Sequence, residues 1–118
     1  MKLSSKFKSL NFLSDLIKNN TSIGIGGHHF ARLPISLINN LLNKNPKNLE
    51  FISWSGGLAL ELFLQKNAIK KIQICFSSLD IFGLAPLFRK TCENKSIEVI
   101  DWSALGLICL LYTSGRCR

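Results

Sequence analysis

The residues best suited to approach a ligand closely lie together in one stretch, Gly24-Ile25-Gly26-Gly27-His28-His29, followed by Arg32 and Pro34. Glycines lack a Cβ and let main-chain N–H groups come near a ligand. A dinucleotide fingerprint, Gly-x-Gly-x-x-Gly, would need glycine at position 29; His29 stands there, so the match fails. Serines recur at two later places, Ser53 and Ser55 beside Gly56, and the pair Ser77 and Ser78. Cys75, Cys92, Cys109 and Cys117 form no Cys-x-x-Cys pair, and the two histidines are adjacent, so no metal-ligand spacing is present and no metal site is expected. Cys75, inside an apolar run, is expected to be a buried, reduced thiol. From the residues alone, the glycine stretch also fits an ordinary tight turn, and His28 a packed ring.

The surrounding pattern supplies the elements that would carry these groups. Four β-like runs recur, Ser22–Gly26, Leu49–Trp54, Lys71–Phe76 and Ile97–Asp101, with helical patterns between them. A first helix is expected over Leu10–Lys18, closed by Asn19-Asn20. Leu37, Ile38, Leu41 and Leu42 share a face after Pro34, which suits a first-turn position. Leu58 and Leu62 mark an apolar helix after Gly56-Gly57, and Leu84, Leu87 and Phe88 a third with Pro86 near its start. Ile23, Ile25, Phe51 and Ile52 read as buried on both faces of a sheet. The fold class is therefore α/β, a mainly parallel sheet with crossover helices. Ligands in such sheets lie beyond the carboxyl ends of the strands. That directs attention to Gly26–Arg32, Ser53–Gly57, Ser77–Phe82 and Trp102–Ser103.

With 118 residues, 47% hydrophobic and 19% charged, the chain is one globular domain or part of a larger one. Its longest apolar run, Ala104–Tyr112, falls far short of the about 20 residues a membrane helix needs. Met1–Lys8 begins like a charged leader, but no signal-type apolar core follows before Asp15, so a cytoplasmic location is expected. Fifteen Lys and Arg stand against seven Asp and Glu, net +8. These positives are mostly lysines spread among asparagines, with no arginine stripe or aromatic run, so a nucleic-acid partner is not expected. A basic face also suits a polyphosphate-bearing small molecule. The segment Cys109–Ser114 resembles the translation of a sequencing-library adapter, and Gly115–Arg118 fits its continuation. Residues 1–108 are therefore expected to be the N-terminal part of a longer, truncated domain, and 109–118 a non-native tail; the competing reading is a native short tail.

The stretch Asn19–Pro34 resembles the signature of the A subunits of family I coenzyme A transferases: a polar start, a hydrophobic strand, Gly-Gly-Phe, and a proline seven residues after the second glycine. Gly26-Gly27 and Pro34 match that spacing. Gly24 in the apolar triplet, His28 for the usual Phe, and Arg32 where many members carry Gly depart from it. Arg32 two residues before Pro34 resembles the glutaconate-type branch. Phe82-Gly83-Leu84-Ala85-Pro86-Leu87-Phe88-Arg89-Lys90, followed by Ile97-Glu98-Val99, is similar to that branch as well. Together these stretches cover most of Leu10–Ile108.

The resemblance implies an acyl-CoA:carboxylate transfer through a covalent glutamyl thioester, with no metal or tightly bound cofactor and a coenzyme A thioester as substrate. It implies a B-subunit partner that carries the nucleophilic Glu in a Ser-Glu-Asn-Gly-like setting. Cys92-Glu93-Asn94-Lys95 is a near miss to that setting and reads instead as a solvated helix end; Glu50 and Glu61 read as structural. No catalytic nucleophile is expected in this chain. Gly26, Gly27, His28, His29, Arg32, Ser53, Ser55, Gly56, Ser77 and Ser78 are the expected substrate-binding residues. Two rival functions keep the same architecture: a CoA-dependent ring-opening hydrolase of the same branch, and a non-enzymatic ligand-binding module.

Overall fold

The computed structural model describes residues 7–113; the leader-like Met1–Lys6 and the end of the suspected tail, Ser114–Arg118, lie outside the described residues. The chain alternates helix and strand: α1 (Leu10–Asp15), β1 (Ser22–Gly24), α2 (Ile35–Asn43), β2 (Leu49–Ser55), α3 (Gly57–Gln65), β3 (Ile69–Phe76), α4 (Pro86–Asn94), β4 (Glu98–Asp101) and α5 (Ala104–Thr113). A short 3-10 turn, Asp80–Phe82, precedes α4. The four strands form one sheet in the order β1-β2-β3-β4, and every pairing is parallel. The expected α/β class with crossover helices is the architecture found.

Right-handed crossovers between successive neighbours in this order place α2, α3 and α4 on one face of the sheet. That face holds the core: Ile23 and Ile25, Leu49 and Phe51, and Ile72 and Ile74 pack against Ile38, Leu41 and Leu42 of α2 and Ala59, Leu60 and Phe63 of α3. Phe51 and Phe63 meet edge to face at 5.6 Å. The opposite face is only partly covered, with Leu107 of α5 buried. Ile52 points there and is half-buried, which corrects the expectation that it lies between two covered faces. Cys75 is half-buried for the same reason; burial and the negative charge of Asp101 push its thiol pKa up.

Of the two helix starts marked by proline, one differs from expectation and one agrees with it. Pro34 stands just before α2 as its cap, with ψ 59°, and not in the first turn. Pro86 does open α4, where its missing N–H costs nothing. The next amides of α4, Leu87 N and Phe88 N, donate to the two carboxylate oxygens of Glu61 at 2.9 and 2.8 Å. Glu61 is buried on α3, so its carboxylate caps a neighbouring helix and fixes α4 against α3. The first helix ends at Asp15, three residues before the expected Lys18.

A polar chain crosses the less covered face. Ser22 of β1 donates to the carboxylate of Glu50 on β2, Gln73 of β3 donates to the same carboxylate at 2.6 Å, and Trp102 beyond β4 donates to Gln73 Oε1 at 2.8 Å. The hydrogen bonds from Ser22 and Gln73, with the charge of Lys71, hold the Glu50 carboxyl below its ordinary pKa.

Candidate functional site

The site is built at the carboxyl ends of β1, β2 and β3. Beyond β1, pairing continues one residue through Ile25 N to Ile52 O at 2.9 Å, and then the chain turns. His28 and Ala31 close a tight hairpin by two reciprocal main-chain hydrogen bonds. The turn needs unusual backbone: Gly27 has φ +115°, and a Cβ there would lie 2.6 Å from Leu33 Cδ2. His29 and Arg32 adopt positive φ, 46° and 58°, a conformation that side-chain-bearing residues rarely take. Such strain persists only where the surroundings over-determine it, and it concentrates at binding sites.

Neighbouring elements supply that constraint. The first turn of α3 reaches into the loop: Leu58 N donates to the His29 carbonyl at 3.0 Å. A Cβ at Gly57 would stand 2.6 Å from that same carbonyl oxygen, so only glycine permits the approach. Beyond β3, the Ser78 carbonyl lies 3.0 Å from His29 Nδ1, which places the ring proton on Nδ1 as donor. His29 is buried, and its ring rests against His28 at 3.9 Å and Phe76 at 5.6 Å. It ties the first strand end to the third.

His28 is exposed and lies over Trp54, with ring centres 5.3 Å apart and planes tilted by 30°. Trp54 meets Phe76 edge to face at 5.0 Å. Both retain over a third of their surface, 37% and 36%, so three aromatic rings form an accessible shelf. Beside His28 an open cavity of about 510 Å³ is lined by Gly27, His28, Ala31 and Arg32. Arg32 is exposed there, free to reach an anion.

The structure brings Gly26, Gly27, His28, His29, Arg32 and Ser78 into one locus. Ser53 is buried, with its hydroxyl 2.7 Å from the Ile25 carbonyl, and steadies the end of β1. Ser55, Gly56 and Ser77 form an adjoining node under α3. A Cβ on Gly56 would collide with Ser77 Oγ at 2.6 Å, and the hydroxyls of Ser55 and Ser77 are buried without a hydrogen-bond partner among the described residues. Sequence reasoning did not single out Gly57, Trp54 or Phe76 as site residues. The signal for the aromatics was their place at the last residues of two strands, where ligands collect.

The four glutamates stand elsewhere. Glu50 is engaged by Ser22 and Gln73, Glu61 by the amides of α4, Glu93 by Arg89 at 2.8 Å, and Glu98 by Lys71 at 3.3 Å. None lines the cavity beside Arg32.

Comparison with known proteins accords with this geometry. The family model described as coenzyme A transferase matches residues 11–115. No curated protein matches the chain. Among solved structures, the chain is similar to a cysteine-to-serine variant of the decarboxylase AibA/AibB, with a TM-score of 0.73 and 21% identity. The similarity covers 80% of this chain and 37% of that one, so this chain spans little more than a third of its solved neighbour's length. At that identity the likeness speaks for the fold, while the family match extends over nearly the whole sequence. The chain belongs to the coenzyme A transferase family.

Proposed function

We propose that this chain is the N-terminal part of an A-type subunit of an acyl-CoA:carboxylate CoA-transferase of the glutaconate-type branch. It forms one wall of the substrate pocket, and a B-type partner subunit supplies the nucleophilic Glu. The observation that carries this reading is the strained turn after β1, which presents Gly27, His28 and Arg32 to an open cavity while every Glu of the chain is engaged elsewhere. The paired name of the solved neighbour, AibA/AibB, also favours a two-chain assembly.

In this scheme the partner's carboxylate attacks the thioester carbonyl, forming an acyl-glutamyl anhydride and releasing CoA thiolate. The thiolate then attacks the glutamyl carbonyl, leaving an enzyme-bound glutamyl thioester and the free carboxylic acid. The acceptor acid runs the same steps in reverse. Main-chain amides around Gly26 and Gly27 steady the developing oxyanion. Arg32 pairs with the carboxylate of donor or acceptor, and His28 flanks it. His29, held by Ser78, is a positioning residue. Ser53, Ser55, Gly56 and Ser77 support the floor at the later strand ends.

The test is exchange of CoA between an acyl-CoA and a free carboxylate, followed by mass spectrometry with the full-length protein and its partner. Transfer in the presence of both chains supports the reading. Hydrolysis without any acceptor requirement overturns the transferase assignment.

A further inference from the structure

Two openings meet at Gly27. One is the polar mouth beside His28 and Arg32; the other is a cleft of about 220 Å³ on the less covered side of the sheet, lined chiefly by Gly24, Gly26, Gly27, Ile52, Trp54 and Leu107. Its walls are almost entirely hydrocarbon, since the hydroxyl of Ser53, which also borders it, is committed to the Ile25 carbonyl.

Gly24 has no conformational reason to be glycine. It lies in β1, regularly paired with Ile52, outside the positive-φ region. Gly24 ends that strand at the edge of the sheet, where the backbone would suit a β-branched residue equally well. Nor does packing demand a bare position: among the described residues, a Cβ at Gly24, or at Gly26, would meet nothing within 4 Å. What the missing side chains leave is room in the cleft beside Ile52 and Trp54. An apolar cavity of about 150 Å³ is enough to hold benzene, so this cleft has space for a six-membered ring or a branched chain.

We infer that the cleft receives the hydrocarbon portion of the acyl group, that the substrate is the CoA thioester of a branched or cyclic acid, and that Gly24 sets its size limit. The inference rests on the function proposed above: the thioester and any carboxylate lie at the mouth by Arg32, and the hydrocarbon extends past Gly27 onto Trp54 and Ile52.

The experiment compares cyclohexanecarbonyl-CoA with acetyl-CoA as donors in the full-length two-subunit enzyme, in the native form and as Gly24→Ala and Gly24→Val. One methylene in an apolar pocket is worth roughly tenfold or more in specificity. The native enzyme is expected to favour the ring donor, and the ratio of the two kcat/KM values is expected to fall stepwise from Gly to Ala to Val, by about tenfold or more at Val. Should Gly24→Val fail to fold, Gly24→Ala alone must lower the ratio. A native enzyme without preference for the ring donor overturns the inference, as does a ratio unmoved by either variant; either would mean that another part of the protein fills the cleft. Absence of turnover with both donors overturns the proposed function itself, and the inference with it.

Discussion

At the scale of single residues, the site depends on a few positions whose backbone or charge admits no substitute. Gly27→Ala forces a Cβ into φ +115° and against Leu33 and the Ala31 carbonyl. It is expected to lower stability by about 1–3 kcal/mol, measurable as a reduced urea midpoint with an unchanged m-value. Arg32 is exposed at the mouth, so its removal is a test of function more than of folding. Arg32→Ala in the proposed two-subunit enzyme is expected to reduce kcat/KM by about tenfold or more, the value of a charge-assisted carboxylate contact; an unchanged kcat/KM removes the carboxylate role proposed for it. Glu50 offers a pH signature. Its folded pKa lies below the ordinary value, so its contribution to stability is complete above the unfolded pKa of about 4.3 and is lost as pH falls through the folded value. Glu50→Gln should flatten the acid limb of the stability–pH curve below that point. An acid limb of the same steepness in the variant would exclude Glu50 as its source.

At the scale of elements, the site is held by contacts between elements more than within them. Leu58 at the start of α3 grips the His29 carbonyl, Ser78 beyond β3 grips the His29 ring, and Glu61 of α3 caps α4. Glu61→Ala leaves two helix-start amides without their acceptor and is expected to cost about 1–3 kcal/mol, read from denaturant unfolding. Hydrogen exchange should rise first at Leu87 and Phe88; unchanged protection there would show that Glu61 is not what holds α4. These cross-contacts explain which parts of the structure were legible in advance. Hydrophobic periodicity located the strands and helices because each of the first three strands buries Ile23, Phe51, Ile72 or their neighbours in one core. The same periodicity could not show that Ile52 and Cys75 face a partly open side, since coverage of a sheet depends on the connectivity of the whole chain. Nor could it reveal Gly57, whose need for glycine comes from the carbonyl of His29, far earlier in the sequence.

At the scale of the whole molecule, a four-stranded parallel sheet offers its strand ends as a ready platform, and this chain furnishes that platform with donors, a cation and an aromatic shelf. No described helix is long and apolar enough to cross a membrane. The glycine turn was legible as a candidate site because its residue types are rare in combination; the shelf of His28, Trp54 and Phe76 was not, because it forms only when three strands lie in register. The central claim is that the attacking carboxylate comes from a different polypeptide. The direct measurement is to incubate the full-length two-subunit enzyme with acyl-CoA, reduce the trapped glutamyl thioester with borohydride, and map the modified residue by peptide mass spectrometry. The account predicts a reduced glutamate on the partner subunit and none at Glu50, Glu61, Glu93 or Glu98; a reduced glutamate at any of those four positions would contradict it.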